Sequence, residues 1–171
     1  MKKISFLVLF AVLVSVHVNA QSEWKIISLD SFSIKCPSDW TTDTSKSMGV
    51  DVFMYKEADA VDGFAENINV LVQDLSGYDM DLDSYTELSE GQIKDMIIDG
   101  KILSSSRVTN GAFPYHKIIY VGQQNELSLQ FLQRYYIKDK KAYVLTLTCE
   151  KKEFKKYLTV GNTIFKSFRF N

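Results

Sequence analysis

Residues 133–149, QRYYIKDKKAYVLTLTC, decide the fold, because they place a β-strand pattern on each side of a turn. In the second strand, apolar residues alternate with their neighbours at Tyr143, Leu145, Leu147 and Cys149. This period-two pattern is typical of a strand with one buried face. The KDKK run at 138–141 has the composition of a hairpin turn. The stretch therefore predicts two antiparallel strands.

The same alternation recurs outside this stretch. It is clearest in FSIKC at 32–36 and NINVLV at 67–72, and further strands are predicted at 50–55, 101–109, 115–121 and 127–137. Asn110-Gly111 is a favoured two-residue hairpin turn, because both residues tolerate positive φ. Short turns between consecutive strands predict a mostly antiparallel sheet.

Two segments have helical spacing. The first has an apolar stripe, with Gly100 placed as a C-terminal cap; its residues are Leu82, Tyr85, Leu88, Ile93, Met96 and Ile97. Asp83 or Ser84 is predicted to begin this helix, and Ser84 with Glu87 fits a capping box. The stripe of the second comprises Phe154, Tyr157, Leu158, Gly161, Ile164 and Phe165. The predicted fold class is α+β, with helices packed against a central, mainly antiparallel sheet of about six to eight strands.

The first 20 residues have the pattern of a signal peptide: two lysines, a short apolar run, then small residues before a cleavage site. We expect export to the periplasm or the extracellular space. Residues 21–171 then form one domain, and no later segment is long and apolar enough to cross a membrane. Gln21 follows the predicted cleavage site, whereas a lipid anchor would need cysteine there.

Two charge patterns offer functional hypotheses. DMDLDSYTELSE, 79–90, has calcium-loop spacing, but it has Ser84 where the sharp turn needs glycine, so helix capping is the preferred interpretation and no metal site is predicted. Residues 138–171 carry nine basic and three acidic side chains. The lysines of KDKK and KKEFKK are either a face for an acidic partner or the solvated side of a hairpin and helix. No aromatic residue interleaves these lysines in a way that suggests base stacking, so they do not indicate nucleic-acid binding.

No catalytic motif is present, and the prediction is a non-enzyme without a cofactor. His116 is the single histidine after the predicted cleavage site, and a pairing with Cys36 or Cys149 stays arithmetically possible. Both cysteines lie on the apolar side of their strands, where thiols are usually inert packing. In an exported protein the two could instead form one disulfide, Cys36–Cys149, if their separation permits it.

The order of segments resembles the PsbP-like superfamily of PsbP and DcrB-like secreted domains. The matching segments are FSIKCPSDW (32–40), NINVLVQDL (67–75), LDSYTELSEGQIK (82–94), VTNGAFPYHKIIYV (108–121), residues 133–149 and EFKKYLTVGNTIFKSFRF (153–170). The resemblance implies an α/β/α arrangement and no shared catalytic centre, and it transfers no binding residue. The leading hypothesis is a non-catalytic accessory or adaptor protein with an unidentified envelope protein as partner. The alternative is a small-ligand or metal-binding module of the envelope.

Overall fold

The computed structural model describes residues 23–58 and 63–171, so the predicted signal peptide over residues 1–20 lies outside the described residues. Ten strands and two helices occur in these ranges: β1 Trp24–Ser28, β2 Phe32–Pro37, β3 Thr41–Asp43, β4 Val52–Tyr55, β5 Asn67–Asp74, α1 Leu82–Met96, β6 Ile98–Val108, β7 Tyr115–Gln124, β8 Leu127–Lys138, β9 Lys141–Glu150, α2 Phe154–Ser167 and β10 Arg169–Phe170. Within these ranges, neither helix combines the length and apolar character that a bilayer crossing requires.

The strands form two sheets. The large sheet has the order β3-β4-β5-β9-β8-β7-β6 and the small one the order β1-β2-β10, and every neighbouring pair is antiparallel. The structure thus confirms the predicted α+β class and the mainly antiparallel sheet. The hairpin of residues 133–149 supplies the middle of the large sheet, where β9 is buried on both faces.

One face of the large sheet packs against α2 and the small sheet. Residues of β9 with odd numbers, such as Leu145 and Leu147, enter this core together with Phe32, Ile34 and Ile164. Gly161 permits the close approach of α2, because an added Cβ there would lie 2.8 Å from Cδ2 of Leu147. The position of Gly161 in the apolar stripe thus has a packing reason.

The opposite face of the sheet packs against α1. Leu82, Tyr85 and Ile93 contact strand residues such as Ile118 and Tyr135 in a second core. The large sheet therefore lies between a layer formed by α1 and a layer formed by α2 with the small sheet.

The predicted boundaries of α1 are wrong in detail. Asp81 is the N-cap and its side chain accepts a hydrogen bond from the backbone N–H of Ser84 at 2.8 Å, so Ser84 is a donor here and not the cap. The helix ends at Met96, and Gly100 already belongs to β6, where a Cβ would collide with the carbonyl oxygen of Ile93. Leu88 and Met96 of the predicted apolar stripe are exposed. These two residues therefore do not belong to the second core.

The two predicted hairpin turns have opposite outcomes. Asp139 and Lys140 both have positive φ and join Lys138 to Lys141, as the KDKK run predicts. The Asn110-Gly111 prediction is wrong, because β6 and β7 are joined by the six residues 109–114, and neither turn residue has positive φ among the described backbone. A second tight turn, at Asn125-Glu126, was not predicted.

Candidate functional site

A cavity of about 460 Å³ opens on the α2 side of the large sheet. Its walls come from the ends of β7 and β8, the last turn of α2, β10 and the β6–β7 loop. We call it the aromatic–basic cavity; it is lined by Val108, Asn110, Gly111, Ala112, Phe113, Tyr115, Arg134, Tyr136, Phe165, Lys166, Phe168, Arg169 and Phe170. The size is that of sites that enclose small organic ligands.

Arg134 is the buried charge in this cavity. The side chain belongs to β8 and points to the α2 face, and the residue is only 6% exposed. Its Nη2 donates a hydrogen bond to Oδ1 of Asn162 at 3.1 Å, while its Nε has no acceptor. No carboxylate of the described residues forms an ion pair with this guanidinium. A desolvated cation without a counter-ion is unfavourable, so this arrangement has a free-energy cost.

Contacts with aromatic rings partly offset the free-energy cost of burying Arg134. The guanidinium carbon lies 4.8 Å from the ring centroid of Tyr115 and 5.3 Å from that of Phe165. Such cation–π contacts favour arginine where water is excluded. Burial raises the pKa of Tyr136, and the nearby Arg134 opposes this effect. The phenol of Tyr136 therefore stays protonated near neutral pH.

The remaining walls are rings packed on each other. Tyr136 stacks on Phe168 with centroids 5.4 Å apart, and Tyr115 lies 5.2 Å from Tyr136. At the mouth, Phe113 of the β6–β7 loop packs edge-on against Phe170 at 4.8 Å. These contacts give the cavity an apolar bed with the guanidinium at one side.

The rim of the cavity is cationic. Lys166 and Arg169 are exposed there, and they also line a second cavity of about 500 Å³ beside it, which adds Lys35. No Asp or Glu occurs among the described residues that line either cavity. Exposed cations around a concave apolar surface attract anions.

The lysines of KDKK and KKEFKK, which the sequence analysis considered as a binding face, do not line either cavity. Lys138 pairs with Asp139 at 2.7 Å, Lys152 with Glu150 at 3.0 Å and Lys156 with Glu153 at 2.9 Å. Acidic neighbours thus neutralise three of these lysines. The cations that converge on a cavity are Arg134, Lys166 and Arg169, of which the sequence interpretation singled out none.

His116 lies on the α1 face, opposite the face that holds both cysteines. Its Nε2 is 2.6 Å from Oγ of Ser105, and the same hydroxyl donates to Oε1 of Glu90 at 2.5 Å. A hydroxyl has one proton and a carboxylate can only accept, so Nε2 is the donor toward Ser105. Burial and then Arg107 lower the pKa of His116, against an opposing effect of Glu90. These hydrogen bonds join α1 to β6 and β7 and direct the proton of Ser105 toward Glu90.

Cys36 and Cys149 are free and buried in the structure, so the possible bridge between them is not formed there. The Sγ of Cys36 instead donates to the carbonyl oxygen of Pro37 at 3.4 Å. Burial raises the pKa of Cys36 to about 11 and that of Cys149 to about 12. Thiols with such values are weak nucleophiles at neutral pH.

The acidic segment at 79–90 is structural in its described contacts. Asp81 caps α1, and Asp83 pairs with Arg107 of β6. Within the described residues, no group of three or more His, Cys, Asp or Glu side chains is arranged to hold a metal ion.

One signal in the sequence points to Arg134. It lies two residues from Leu132 and from Tyr136, in phase with the buried positions of β8. A charged residue at a strand position that faces the core is unusual, because a buried charge requires a partner. The loop and β10 that complete the cavity could not be placed from local pattern, because they contact β8 only through the tertiary fold.

No protein-family model matches the chain, and no curated protein matches it in sequence. Solved structures do match. Cyanobacterial PsbP from Synechocystis sp. PCC 6803 has 15% identity and a TM-score of 0.67, over 93% of this chain and 99% of its own. LpqN, involved in cell envelope biogenesis of Mycobacterium tuberculosis, has 13% identity and a TM-score of 0.62, over 87% and 91%.

A third similar structure is PA94 of Pseudomonas aeruginosa, a protein of unknown function. It has 11% identity and a TM-score of 0.61, over 84% of this chain and 94% of its own. An antiparallel sheet between helical layers defines the fold class of the chain. The fold is PsbP-like, in agreement with the resemblance of the sequence.

Proposed function

We propose that this is an exported, non-catalytic accessory protein of the periplasm or extracellular space that acts by binding an anionic ligand in the aromatic–basic cavity. Two observations outside the cavity support the general class. The first 20 residues have a signal-peptide pattern. Similar folds occur in PsbP and in a mycobacterial protein of cell envelope biogenesis.

Arg134 carries the proposal. It lines a cavity large enough for a small organic molecule, and it has no carboxylate counter-ion among the described residues. A bound anion would supply the missing negative charge. The exposed Lys166 and Arg169 would attract that anion to the mouth.

A thermal-shift screen of small organic anions, with cationic and neutral analogues, tests this proposal. We expect some anions to raise the Tm of the wild-type protein in low salt, because a ligand that binds only the folded state stabilises it. Arg134→Met should lose this response. Arg107→Met is the matched control, since Arg107 lies on the opposite face of the sheet and pairs with Asp83. If no anion shifts the Tm, the cavity is not an anion site.

A protein partner is the second candidate, which retains the adaptor hypothesis. It is favoured by the outer side of α1, where Leu88 is 50% and Met96 74% exposed. Cross-linking in intact cells, followed by affinity capture, should enrich the same envelope protein repeatedly. The double variant Leu88→Ser, Met96→Ser should keep its fold but no longer capture that protein. If Arg134→Met alone abolishes the capture, the contact lies at the cavity instead.

A further inference from the structure

Building on the proposed function, we propose that the ligand of the aromatic–basic cavity is an amphipathic monocarboxylate. Its carboxylate pairs with Arg134, and its apolar body lies on the rings of Tyr115, Tyr136 and Phe168. The binding function could hold without this assignment, so the two are tested separately below.

The charge of the site selects the head group. The site buries one guanidinium, and a single negative charge neutralises it. A planar guanidinium presents parallel N–H groups that match the two oxygens of a carboxylate. A phosphate monoester carries more negative charge than one guanidinium neutralises, and the other cations of the cavity, Lys166 and Arg169, lie exposed at the rim. Solvent screens these two rim cations, so they contribute mainly to attracting the anion to the mouth of the cavity.

The walls select the body of the ligand. Beside the polar groups, which are Arg134, Asn110 and the two rim cations, the lining includes packed aromatic rings and the aliphatic Val108. Such a surface gains free energy from apolar area removed from water. A small hydrophilic anion such as acetate would leave this surface uncovered. The ligand therefore needs both an acid group and an apolar part.

The β6–β7 loop provides the entrance. Phe113 is 44% exposed and contacts Phe170 at the mouth, and Asn110, Gly111 and Ala112 line the same side. The second cavity meets this one at Lys166 and Arg169, so a longer apolar chain can extend beyond the mouth along α2.

Calorimetry with four ligands of the same chain length tests the assignment: octanoate, octyl phosphate, octanol and octylamine. They are titrated into the purified protein below the concentrations at which the charged ligands form micelles and octanol separates from water. We expect octanoate to bind about tenfold or more tightly than octanol, the effect of a hydrogen bond to a charged group. Octyl phosphate should bind no more tightly than octanoate, and octylamine should not bind.

Two variants link the result to the cavity. Arg134→Met should reduce octanoate affinity to that of octanol, while Arg107→Met should leave it unchanged. The Tm of each variant, measured without ligand, shows that it is folded. If Arg134→Met does not fold, Arg134→Lys replaces it, and its expected effect is weaker octanoate binding because the planar pair of N–H groups is gone.

The outcomes separate the two proposals. Tighter binding of octyl phosphate than octanoate would overturn the carboxylate assignment and leave the anion site standing. If an anion responds in the screen but octanoate does not bind, the proposal that the ligand has an apolar body is overturned. Equal binding of octanoate and octanol to wild-type protein, together with a screen in which no anion responds, would overturn both.

Discussion

Arg134 shows how far a single residue can be interpreted from sequence. Its phase with Leu132 and Tyr136 places it on a buried face, so its burial follows from the alternation of the strand. Its surroundings do not follow. The Asn162 amide and the Phe165 ring come from α2, about 30 residues later in the chain. Only the packing of α2 on the sheet brings them together, so local pattern predicts a charge in need of a partner and not the cavity.

The two cysteines give a prediction at this scale. Burial raises the pKa of both thiols, so thiolate is scarce and access is restricted near neutral pH. Without reductant, we expect a thiol reagent to label little of the native protein and two thiols per chain in denaturant, counted by mass spectrometry. Two labels confirm the free thiols of the structure. No labelling in denaturant would show that Cys36 and Cys149 form the disulfide considered from the sequence.

Among the elements, the helices were easier to predict than their ends. The period of apolar residues located α1 and α2, but the cap of α1 is Asp81 and its exposed stripe includes Leu88 and Met96. Which side chain caps a helix depends on backbone geometry within one or two residues. The tight turn at 139–140 was predictable from composition, whereas the longer loop at 109–114 was not. Its Phe113 packs on Phe170, a contact distant in sequence.

The two helical glycines should respond oppositely to alanine. At Gly91 of α1 an added Cβ meets no atom within 4 Å, whereas at Gly161 of α2 it meets the buried Leu147. Alanine is favoured over glycine in helices by about 1 kcal/mol, so Gly91→Ala should stabilise the protein. Gly161→Ala should be less stable than Gly91→Ala by about 1–3 kcal/mol, the usual cost of overpacking.

Urea unfolding of these two variants and the wild type gives the free energies of unfolding. Because the helix propensity gain is common to both substitutions, their difference reports the packing of α2 on β9. Equal stabilisation by both would contradict the close approach at Gly161.

The anchorage of α1 should depend on pH through His116. Its pKa in the folded protein is below the ordinary value of 6.5, mainly because of burial, so the folded state favours the neutral ring. The unfolded state then binds more protons, and this contribution to stability is complete above pH 6.5. It declines as the pH falls toward the lowered pKa.

Thermal unfolding between pH 7.5 and pH 5 measures this dependence. We expect His116→Gln to flatten the curve relative to wild type, because glutamine can donate to Ser105 without titrating. Carboxylates titrate in both proteins, so subtracting one curve from the other removes their contribution to the pH dependence of the Tm. Parallel curves would show that His116 does not titrate differently on unfolding.

For the whole molecule, the sequence predicted the sheet better than its edges. The alternation in 133–149 predicted β8 and β9, which became the middle of the large sheet. The short strands β1, β3 and β10 were not predicted. With three and two residues, β3 and β10 carry too little alternation for a local signal, and they exist because longer neighbours pair with them. The sequence of β1, WKIIS, has two adjacent isoleucines in place of a strict alternation.

Amide exchange should reflect this hierarchy. We expect the amides of β9 and of its neighbours β5 and β8 to exchange last, because all three strands are paired on both sides and β9 is buried on both faces. The amides of β3 and β10 should exchange first. Hydrogen exchange followed by mass spectrometry or NMR measures the order, and early exchange of β9 would contradict its central position.

The place of β9 in the sheet also affects when the protein can fold during synthesis. Residues 141–148 of β9 pair with β5, whose partner positions lie 67–81 residues earlier in the chain. Before these residues leave the ribosome, β5 and β8 have no strand between them, and the large sheet is two separate halves. Such distant pairing slows folding. In the export that we propose for this chain, the core can therefore close only after β9 has crossed.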